Sequence, residues 1–342
     1  MAIVQHLIVD QFGVHVGKYS GRLKVTKAKE TLVQAPLLHL ESVIIASQGV
    51  SLSAAAVRSC TDRGIPIHFL SGTGTPYASL YSAGLTGTVL TRRAQLTALD
   101  TRRGLQAALA FAEGKLRNQE NLLKYVAKYR KEKDPELYQK LWEAAGKIGD
   151  GLAEMDKYRQ AASIDQVRFQ VLGTEGRAAQ HYWRALRQVI PEKYNWPGRV
   201  GRGAKDPINS ALNYGYGILY SQVERACVLA GLDPYGGFIH VDRPGKPSLV
   251  LDLIEEFRQT VVDRTVAGMA NKQMALDQDN RGLLTKETRR KLADRVLKRL
   301  DSPVRYEKKR RPLRAVLQSQ ARHLATFLRG DRENYTPFVA SW

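Results

Sequence analysis

The sequence has few cysteines and none of the cysteine or histidine spacings that bind zinc. Cys60 and Cys227 are its two cysteines, and both lie among small or apolar neighbours. A single pair provides no disulfide framework, so we expect two reduced thiols in the core. Because neither a CxxC nor an HxxxH pair occurs, the sequence argues against a zinc site.

Long apolar runs are also missing. No stretch approaches the roughly 20 apolar residues that span a bilayer. The opening MAIVQHLIVDQ has no basic segment followed by an uninterrupted apolar one, so it is unlike a secretory signal. We therefore expect a cytoplasmic protein without a membrane partner.

A phosphate-binding glycine loop is lacking too. The tripeptide GTG at positions 72–74 does not have the GxxxxGK[ST] spacing, and no helical pattern follows it. A hairpin turn is the better interpretation of these glycines.

Acidic residues are scarce relative to basic ones. The chain has 33 Asp and Glu against 53 Lys and Arg, which gives a net charge of +20. Residues 1–90 carry +3 of this charge and the remainder carries +17. Charge of one sign concentrated in this way favours a polyanionic partner, and nucleic acid is the commonest one. A basic surface that serves only solubility is the alternative.

The first 85 residues have the pattern of short strands. Apolar and β-branched residues alternate with Gly and Asp punctuation, and one helix follows Ser51 and ends at Gly64. The predicted strands are His6–Val9, Val14–Val16, Arg22–Val25, Thr31–Gln34, Ser42–Ala46, and a closing hairpin of Ile65–Leu70 and Tyr77–Tyr81.

From about residue 91 the apolar period becomes helical. The predicted helices run from near Leu105 to Lys131, over Glu136–Tyr158, from Ser163 to about Ile190, from Asp206 to Gly231, from about Ser248 to Ala270, over Thr285–Leu300 and over Pro312–Leu328. We therefore predict an α+β fold, with a small β-rich N-terminal domain at 1–88 and a larger all-α domain at 89–342.

Glu175 and His240 lie in settings that are unusual for polar residues. Glu175 is flanked by Gly173 and Gly176, each costing about 1 kcal/mol relative to alanine inside a helix. This cost predicts a close approach to the backbone there. His240 ends an apolar run just before a turn rich in Gly and Pro. A surface ion pair for Glu175 and a purely structural histidine are the alternatives.

A third polar group lies on the helix that begins near Ser248. Asp252 and Glu255 are three residues apart, so they share a face beside an apolar stripe, and Glu256 follows them. Two carboxylates and one imidazole from separate segments suit Mg²⁺ or Mn²⁺, which can polarise a phosphodiester. Simple pairing of these acids with Arg258 and Arg264 is the alternative.

Several segments, in this order, resemble a known family. They are KLRNQ at Lys115–Gln119, LGTEGRAAQHYW around Glu175, RGAKDPINSALNYGYGILYSQVERA at Arg202–Ala226 and GLDPYGGFIHVDRPGKPSLVLDLIEEFR at Gly231–Arg258. In these segments the sequence resembles the CRISPR spacer-acquisition nucleases and integrases, the Cas1 proteins. The resemblance covers essentially the whole chain.

This resemblance implies both a fold and an activity. It implies a β-sandwich-like N-terminal domain that forms a homodimer, followed by a helical catalytic domain. Glu175, His240 and Glu255 are expected to be catalytic and to bind the metal, with Asp252 as a further ligand or an orienting partner. Two dimers would be bridged by a small companion protein, Cas2. The complex would insert captured DNA into a CRISPR array through attack of a 3′-hydroxyl on a phosphodiester.

The basic residues near the motifs are candidates for contact with double-stranded and branched DNA. Those that flank the motifs are Arg202, Lys205, Arg243 and Lys246. The tract Lys308–Arg311 with Arg314 could contact phosphates or form a solvated face. Tyr214 and Tyr216 could stack on bases, although packing in the helix core is favoured.

Two other functions remain open from the sequence. One is a DNA repair nuclease that acts alone, and the other is a DNA-binding scaffold without catalytic activity.

Overall fold

The N-terminal region contains two four-stranded sheets. The computed structural model describes residues 4–82, 88–201 and 203–341. The strands are β1 (His6–Val9), β2 (His15–Tyr19), β3 (Arg22–Lys27), β4 (Glu30–Pro36), β5 (Ser42–Ile45), β6 (Ser51–Leu52), β7 (Ile67–Leu70) and β8 (Pro76–Leu80), and α1 (Ala54–Thr61) lies between β6 and β7. Each predicted strand is present, and β6 was not predicted.

One sheet has the strand order β1-β5-β7-β8 and the other the order β4-β3-β2-β6. In the first sheet β1, β5 and β7 are parallel, which places Val43 between Leu7 and Ile67, and β8 returns antiparallel to β7 as the predicted hairpin. Leu7, Val43 and Ile67 belong to an apolar cluster that also contains Val16 and Leu23 of the second sheet. The two sheets therefore share one core.

The rest of the chain is mainly helical, as predicted. Its helices are α2 (Thr88–Ala98), α3 (Arg102–Lys128), α4 (Pro135–Tyr158), α5 (Arg168–Arg187), α6 (Pro207–Leu229), α7 (Ser248–Leu253), α8 (Arg264–Asn271), α9 (Lys286–Asp301) and α10 (Leu313–Arg329). Helix α2 was not predicted. The Thr101 side chain accepts a hydrogen bond from the backbone of Arg103 and starts α3 as a separate helix.

The helix predicted from Ser248 to Ala270 is irregular. Between α7 and α8, residues Ile254–Glu256 form a 3₁₀ turn and Gln259–Asp263 form a π-helical turn. Asp263, in the π turn, is buried and accepts hydrogen bonds from the hydroxyls of Tyr182 and Tyr216. Because these bonds come from residues far away in the sequence, periodicity alone could not predict the irregular turns and predicted a regular helix instead.

The helical region also contains a β-hairpin that was not predicted. Strands β9 (Pro303–Tyr306) and β10 (Lys309–Pro312) pair antiparallel between α9 and α10. Glu307 and Lys308 form the two-residue turn with positive φ at both positions, which matches the twist of a hairpin. The basic tract Lys308–Arg311 therefore lies along a hairpin.

The β-rich region packs directly on the helices. Ile44 and Leu70 join the large apolar cluster of the helical region. Gly217 of α6 faces the β7–β8 turn, where an added Cβ would lie only 1.5 Å from the carbonyl oxygen of Gly74. Only glycine at position 217 allows this approach.

We retain the boundary between residues 88 and 89 as a proposal; it follows the first residue of α2, and residues 83–87 lie outside the described part of the chain. Within that part, no helix has the length and apolarity needed to cross a bilayer.

Candidate metal centre

Two of the predicted metal ligands meet at one lysine. Glu175 lies on α5 and Glu255 on the 3₁₀ turn, and they are 5% and 6% exposed. Lys115 of α3 places its Nζ 3.7 Å from Glu175 Oε1 and 3.2 Å from Glu255 Oε2. Carboxylates 80 residues apart in the sequence therefore face the same ammonium group.

The oxygens facing Lys115 lack other partners. Glu175 Oε1 and Glu255 Oε2 are both buried, and among the described residues no group other than the Lys115 ammonium bonds to either of them. Buried carboxylate oxygens require a cationic partner, so the pair can hold a cation.

Burial and the neighbouring cations set the protonation of this cluster. Burial raises the pKa of Glu175, and Lys115 offsets this only in part. Burial acts in the same direction on Glu255, but Arg258 and Lys115 outweigh it, so the pKa of Glu255 is lowered. Burial would lower the pKa of Lys115, yet the two glutamates raise it. We therefore expect a charged lysine beside an ionised Glu255 at neutral pH.

His240 is held in one orientation by Asp252. The Nδ1 atom of His240 lies 2.6 Å from Asp252 Oδ1. Asp252 is fully buried and also accepts backbone N–H bonds from Phe238, Ile239 and His240 at 2.6, 3.1 and 3.0 Å. These four bonds favour Asp252 as an orienting partner over Asp252 as a further ligand, and they leave Nε2 as the ring nitrogen for binding. His240 lies close enough to both glutamates to lower their pKa.

Arg258 fixes the other side of Glu255. Its Nε lies 3.1 Å from Glu255 Oε1, and its guanidinium stacks 4.6 Å from the ring centre of Tyr216. The pairing of an acid with Arg258 is thus present, whereas Arg264 donates to the hydroxyl of Tyr125.

Tyr214 and Tyr216 are buried, so their favoured interpretation as core residues is correct.

The donor set fits a hard divalent cation. Two carboxylates and an imidazole are suitable ligands for Mg²⁺ or Mn²⁺. Among the described residues, the acidic and imidazole groups whose ligand atoms all lie within 4.8 Å of one another are a different set, His6, Glu41 and Asp301. The three predicted ligands are spaced more widely, and the Lys115 ammonium lies between the two glutamates.

The set of His6, Glu41 and Asp301 already has its cation. Arg314 Nε lies 3.0 Å from Glu41 and 3.0 Å from Asp301, and Arg314 Nη2 lies 2.7 Å from His6. The guanidinium thus supplies the charge that a metal would bring. Arg314 was predicted to contact phosphates or to form a solvated face. Its side chain is only 14% exposed, so the solvated face is wrong, and contact with phosphates stays a prediction.

Comparison with known proteins identifies the family. Residues 7–298 match the family described as CRISPR associated protein Cas1. The chain belongs to the Cas1 family.

The resemblance inferred from the motifs is therefore confirmed, and Cas1 relatives cover nearly the whole chain. The CRISPR-associated endonuclease Cas1 1 of Archaeoglobus fulgidus is 38% identical over 98% of this chain and 99% of that protein. A protein of the same name from Francisella tularensis subsp. novicida is 33% identical over 99% of this chain and 100% of its own length.

Solved structures share the fold. A casposase bound to an integration product has a TM-score of 0.80 and 22% identity, over 97% of this chain and 93% of that one. A Cas1 protein from Thermotoga maritima has a TM-score of 0.73 and 18% identity, over 97% and 99% of the two chains. The predicted α+β architecture is thus that of Cas1 structures.

The predicted DNA-contact residues of this Cas1 chain lie on its surface where the structure describes them. Lys205 and Arg243 are exposed, and Lys246 is half-buried. The Lys246 N–H donates to the Arg243 carbonyl at 2.9 Å, which closes the turn after His240. Arg202 lies outside the described residues, and DNA contact stays a prediction for all four.

The glycines beside Glu175 have no close protein neighbour. An added Cβ on Gly176 would meet no described atom within 4 Å, and one on Gly173 would meet only the tip of Arg177 at 3.5 Å. The predicted close approach is therefore not made by another part of the described chain.

Sequence reasoning missed the role of Lys115 in this Cas1 site. Its segment KLRNQ was noticed only as a family motif, although a lysine that closely follows the small and apolar run at 107–112 is itself a sign of a buried counter-charge. Glu256 was also passed over. It is fully buried, and burial raises its pKa to about 7, although hydrogen bonds from Tyr335, Phe338 and Gln320 act against this.

Proposed function

We propose that this Cas1 chain is a divalent-metal-dependent DNA endonuclease and integrase that inserts captured foreign DNA into a CRISPR array for antiviral defence. The observation that carries the proposal is the convergence of Glu175 and Glu255 on Lys115, next to an oriented His240. The curated relatives named CRISPR-associated endonucleases support it, since they match over nearly the full chain.

In this proposal Glu175, Glu255 and His240 Nε2 hold Mg²⁺ or Mn²⁺. When bound, the ion supplies electrostatic stabilisation of the phosphate oxygens. Asp252 keeps the imidazole in position, and Arg258 keeps Glu255 ionised and directed into the site. The sequence and the geometry are also compatible with His240 as the proton donor to the leaving oxygen.

The reaction is a transesterification. A DNA 3′-hydroxyl attacks the target phosphorus in line, the new P–O bond forms, and the bond to the displaced 3′-oxygen breaks. The attacking hydroxyl loses its proton and the displaced oxygen gains one. Because one phosphodiester bond forms as another breaks, their number is unchanged. With water as the attacking group, the same site acts as an endonuclease. Lys205, Arg243, Lys246 and Arg202 would position the DNA backbone through its phosphates.

The proposed partners are DNA, a second copy of the chain and a Cas2 companion. Solved structures of the same fold include a Cas1–DNA complex and a Cas6-RT-Cas1–Cas2 complex. For the homodimer, β4 is an edge strand of its sheet, and its Leu32 and Val33 are each 39% exposed. Exposed apolar edges are sites for pairing with another chain.

The experiment compares strand joining and cleavage by wild type, Glu175→Gln and His240→Ala, with Mn²⁺ and with EDTA. His181→Ala is the matched control, because His181 is a half-buried histidine on the same helix as Glu175. We expect both site variants to lose activity while they fold and bind DNA, and the control to retain it. Joining by both site variants at the wild-type rate would show the assigned site to be wrong.

Three outcomes separate this proposal from the alternatives. Cleavage that persists in EDTA would remove the metal from the mechanism. DNA binding without cleavage or joining under any condition would favour a scaffold. Cleavage of branched DNA without insertion into an array, even with the Cas2 companion, would favour a repair nuclease.

A further inference from the structure

The C-terminal segment Tyr335–Ala340 is irregular but deeply packed, and we call it the strap. It forms neither helix nor strand, yet Tyr335, Phe338 and Ala340 are 7%, 1% and 1% exposed. Phe338 stacks on Phe257 with ring centres 5.1 Å apart, and Tyr335 meets Phe111 of α3 edge-on at 5.6 Å. An irregular segment with this burial needs fixed partners for its polar groups.

Glu256 is one of these partners, and it is adjacent to the proposed metal ligand Glu255. Its carboxylate accepts hydrogen bonds from the Tyr335 hydroxyl at 2.5 Å and from the Phe338 N–H at 2.8 Å. Gln320 of α10 donates a third bond at 2.8 Å. The strap is therefore joined to the 3₁₀ turn one residue from Glu255.

Asn118 of α3 joins the same two segments a second time. Its Nδ2 donates to the carbonyls of Glu256 and Phe338 at 2.9 and 2.8 Å, and its Oδ1 accepts from the Ala340 N–H at 2.8 Å. Asn118 follows Lys115 by three residues, so the two side chains share one face of α3. Lys115 contacts the carboxylate of Glu255 while Asn118 holds the backbone of the next residue.

The contact between strap, turn and α3 leaves no space for a further side chain. A Cβ on Gly114 would lie 2.8 Å from Cβ of Pro337 and 3.1 Å from Cγ of Glu256. Contacts under 3 Å force a shift of the neighbouring atoms. The side chains of Pro337 and Glu256 thus pack directly against the backbone of Gly114, beside the proposed metal centre.

We propose that the strap positions Glu255 for metal binding, with Asn118 and Glu256 as positioning residues. This inference rests on the proposed function, since it concerns the same metal site. A 3₁₀ turn of three residues has few and poorly aligned internal hydrogen bonds, so it cannot fix its own geometry. Supporting residues must hold metal ligands within about 0.5 Å of the positions that they take when the metal is bound. The bonds of Asn118 and Glu256 to the strap supply that support.

The test measures Mn²⁺ binding to the full chain by calorimetry and by electron paramagnetic resonance. Asn118→Leu removes both donors and the acceptor at similar volume, and Tyr335→Phe removes one donor without leaving a cavity. We expect Asn118→Leu to weaken Mn²⁺ binding about 10–100-fold, and Tyr335→Phe to weaken it by a smaller factor. Should Asn118→Leu fail to fold, the Kd of Tyr335→Phe decides.

The control is Leu141→Ala, a cavity variant of a fully buried residue on α4. It lowers the stability of the helical core without removing any hydrogen bond of Asn118 or Glu256, so its Mn²⁺ affinity should match that of wild type at temperatures where all variants are folded. A Kd for Mn²⁺ within twofold of wild type for both Asn118→Leu and Tyr335→Phe would overturn the proposal and leave the strap a purely structural element. Wild type that binds no Mn²⁺ would overturn the proposed metal function as well, which separates the two failures.

Discussion

Replacement of Lys115 by methionine tests the electrostatics of the candidate metal centre most directly. The substitution removes the ammonium and keeps most of the aliphatic stem. Glu175 and Glu255 then face each other without the cation that lies 3.7 and 3.2 Å from them. We expect a folded but less stable protein, whose stability recovers when Mn²⁺ is added.

The magnitude follows from the two distances and the burial. At an effective dielectric constant of about 20, the attractions at 3.7 and 3.2 Å are each about 5 kcal/mol before the cost of desolvating the lysine. Loss of one member of a buried ion cluster costs about 3–5 kcal/mol. The lower end applies here, because Glu175 can take up a proton and Arg258 still pairs with Glu255. For a chain of this length, about 3 kcal/mol corresponds to a fall in Tm of about 4 °C.

The assay is thermal unfolding in EDTA and in Mn²⁺. Lys124→Met is the control, since Lys124 lies on the same helix and pairs with Glu120, but is 39% exposed. An exposed pair of this kind contributes only about 0.5 kcal/mol. In EDTA the Tm of Lys115→Met should therefore fall well below that of Lys124→Met, and saturating Mn²⁺ should close most of the gap. Equal Tm values for the two variants in EDTA would refute the reasoning, as would a shift with Mn²⁺ no larger than that of wild type.

Three further predictions concern the residues around the site. Burial raises the pKa of Asp263 to about 6, above its usual 3.8. The folded state therefore gains stability from protonated Asp263; this gain is complete below pH 3.8 and is lost as pH rises through 6. Wild type should thus lose about 2 kcal/mol relative to Asp263→Asn between pH 4 and 7 in denaturant titrations, and parallel pH profiles would contradict this. Asp252→Asn should lower the rate of strand joining about 10–100-fold by releasing His240, and a gel assay that finds less than a twofold loss would argue against the orienting role. Tyr216→Phe removes one of the two hydroxyl donors to Asp263 and should cost about 1–3 kcal/mol in the free energy of unfolding, where an unchanged urea midpoint would show the bond to be dispensable.

Much of the fold was predictable because it follows from local patterns. Strands such as β5 (SVII) and the capped start of α6 at Asp206–Pro207 are specified by neighbours in the sequence. The 3₁₀ and π turns between α7 and α8 were not predictable. They depend on bonds from Tyr182, Tyr216 and the strap, which are far away in the sequence.

The candidate site was predictable only as a list of residues. Glu175, His240 and Glu255 could be named from their settings and their order, but their counter-charges could not. Lys115 precedes Glu175 by 60 residues, and only the packing of α3 against α5 and the 3₁₀ turn brings it between the two acids. Periodicity assigns a residue to a face of a helix and does not state which other helix that face meets.

The position of the strap in the chain has a consequence during synthesis. The ribosome releases Glu175, His240 and Glu255 well before Tyr335–Ala340, and chains fold from the N-terminal end as they emerge. A nascent or prematurely ended chain therefore carries the acidic and imidazole groups without the segment that fixes the turn of Glu255. On the proposed role of the strap, such a fragment would bind metal poorly.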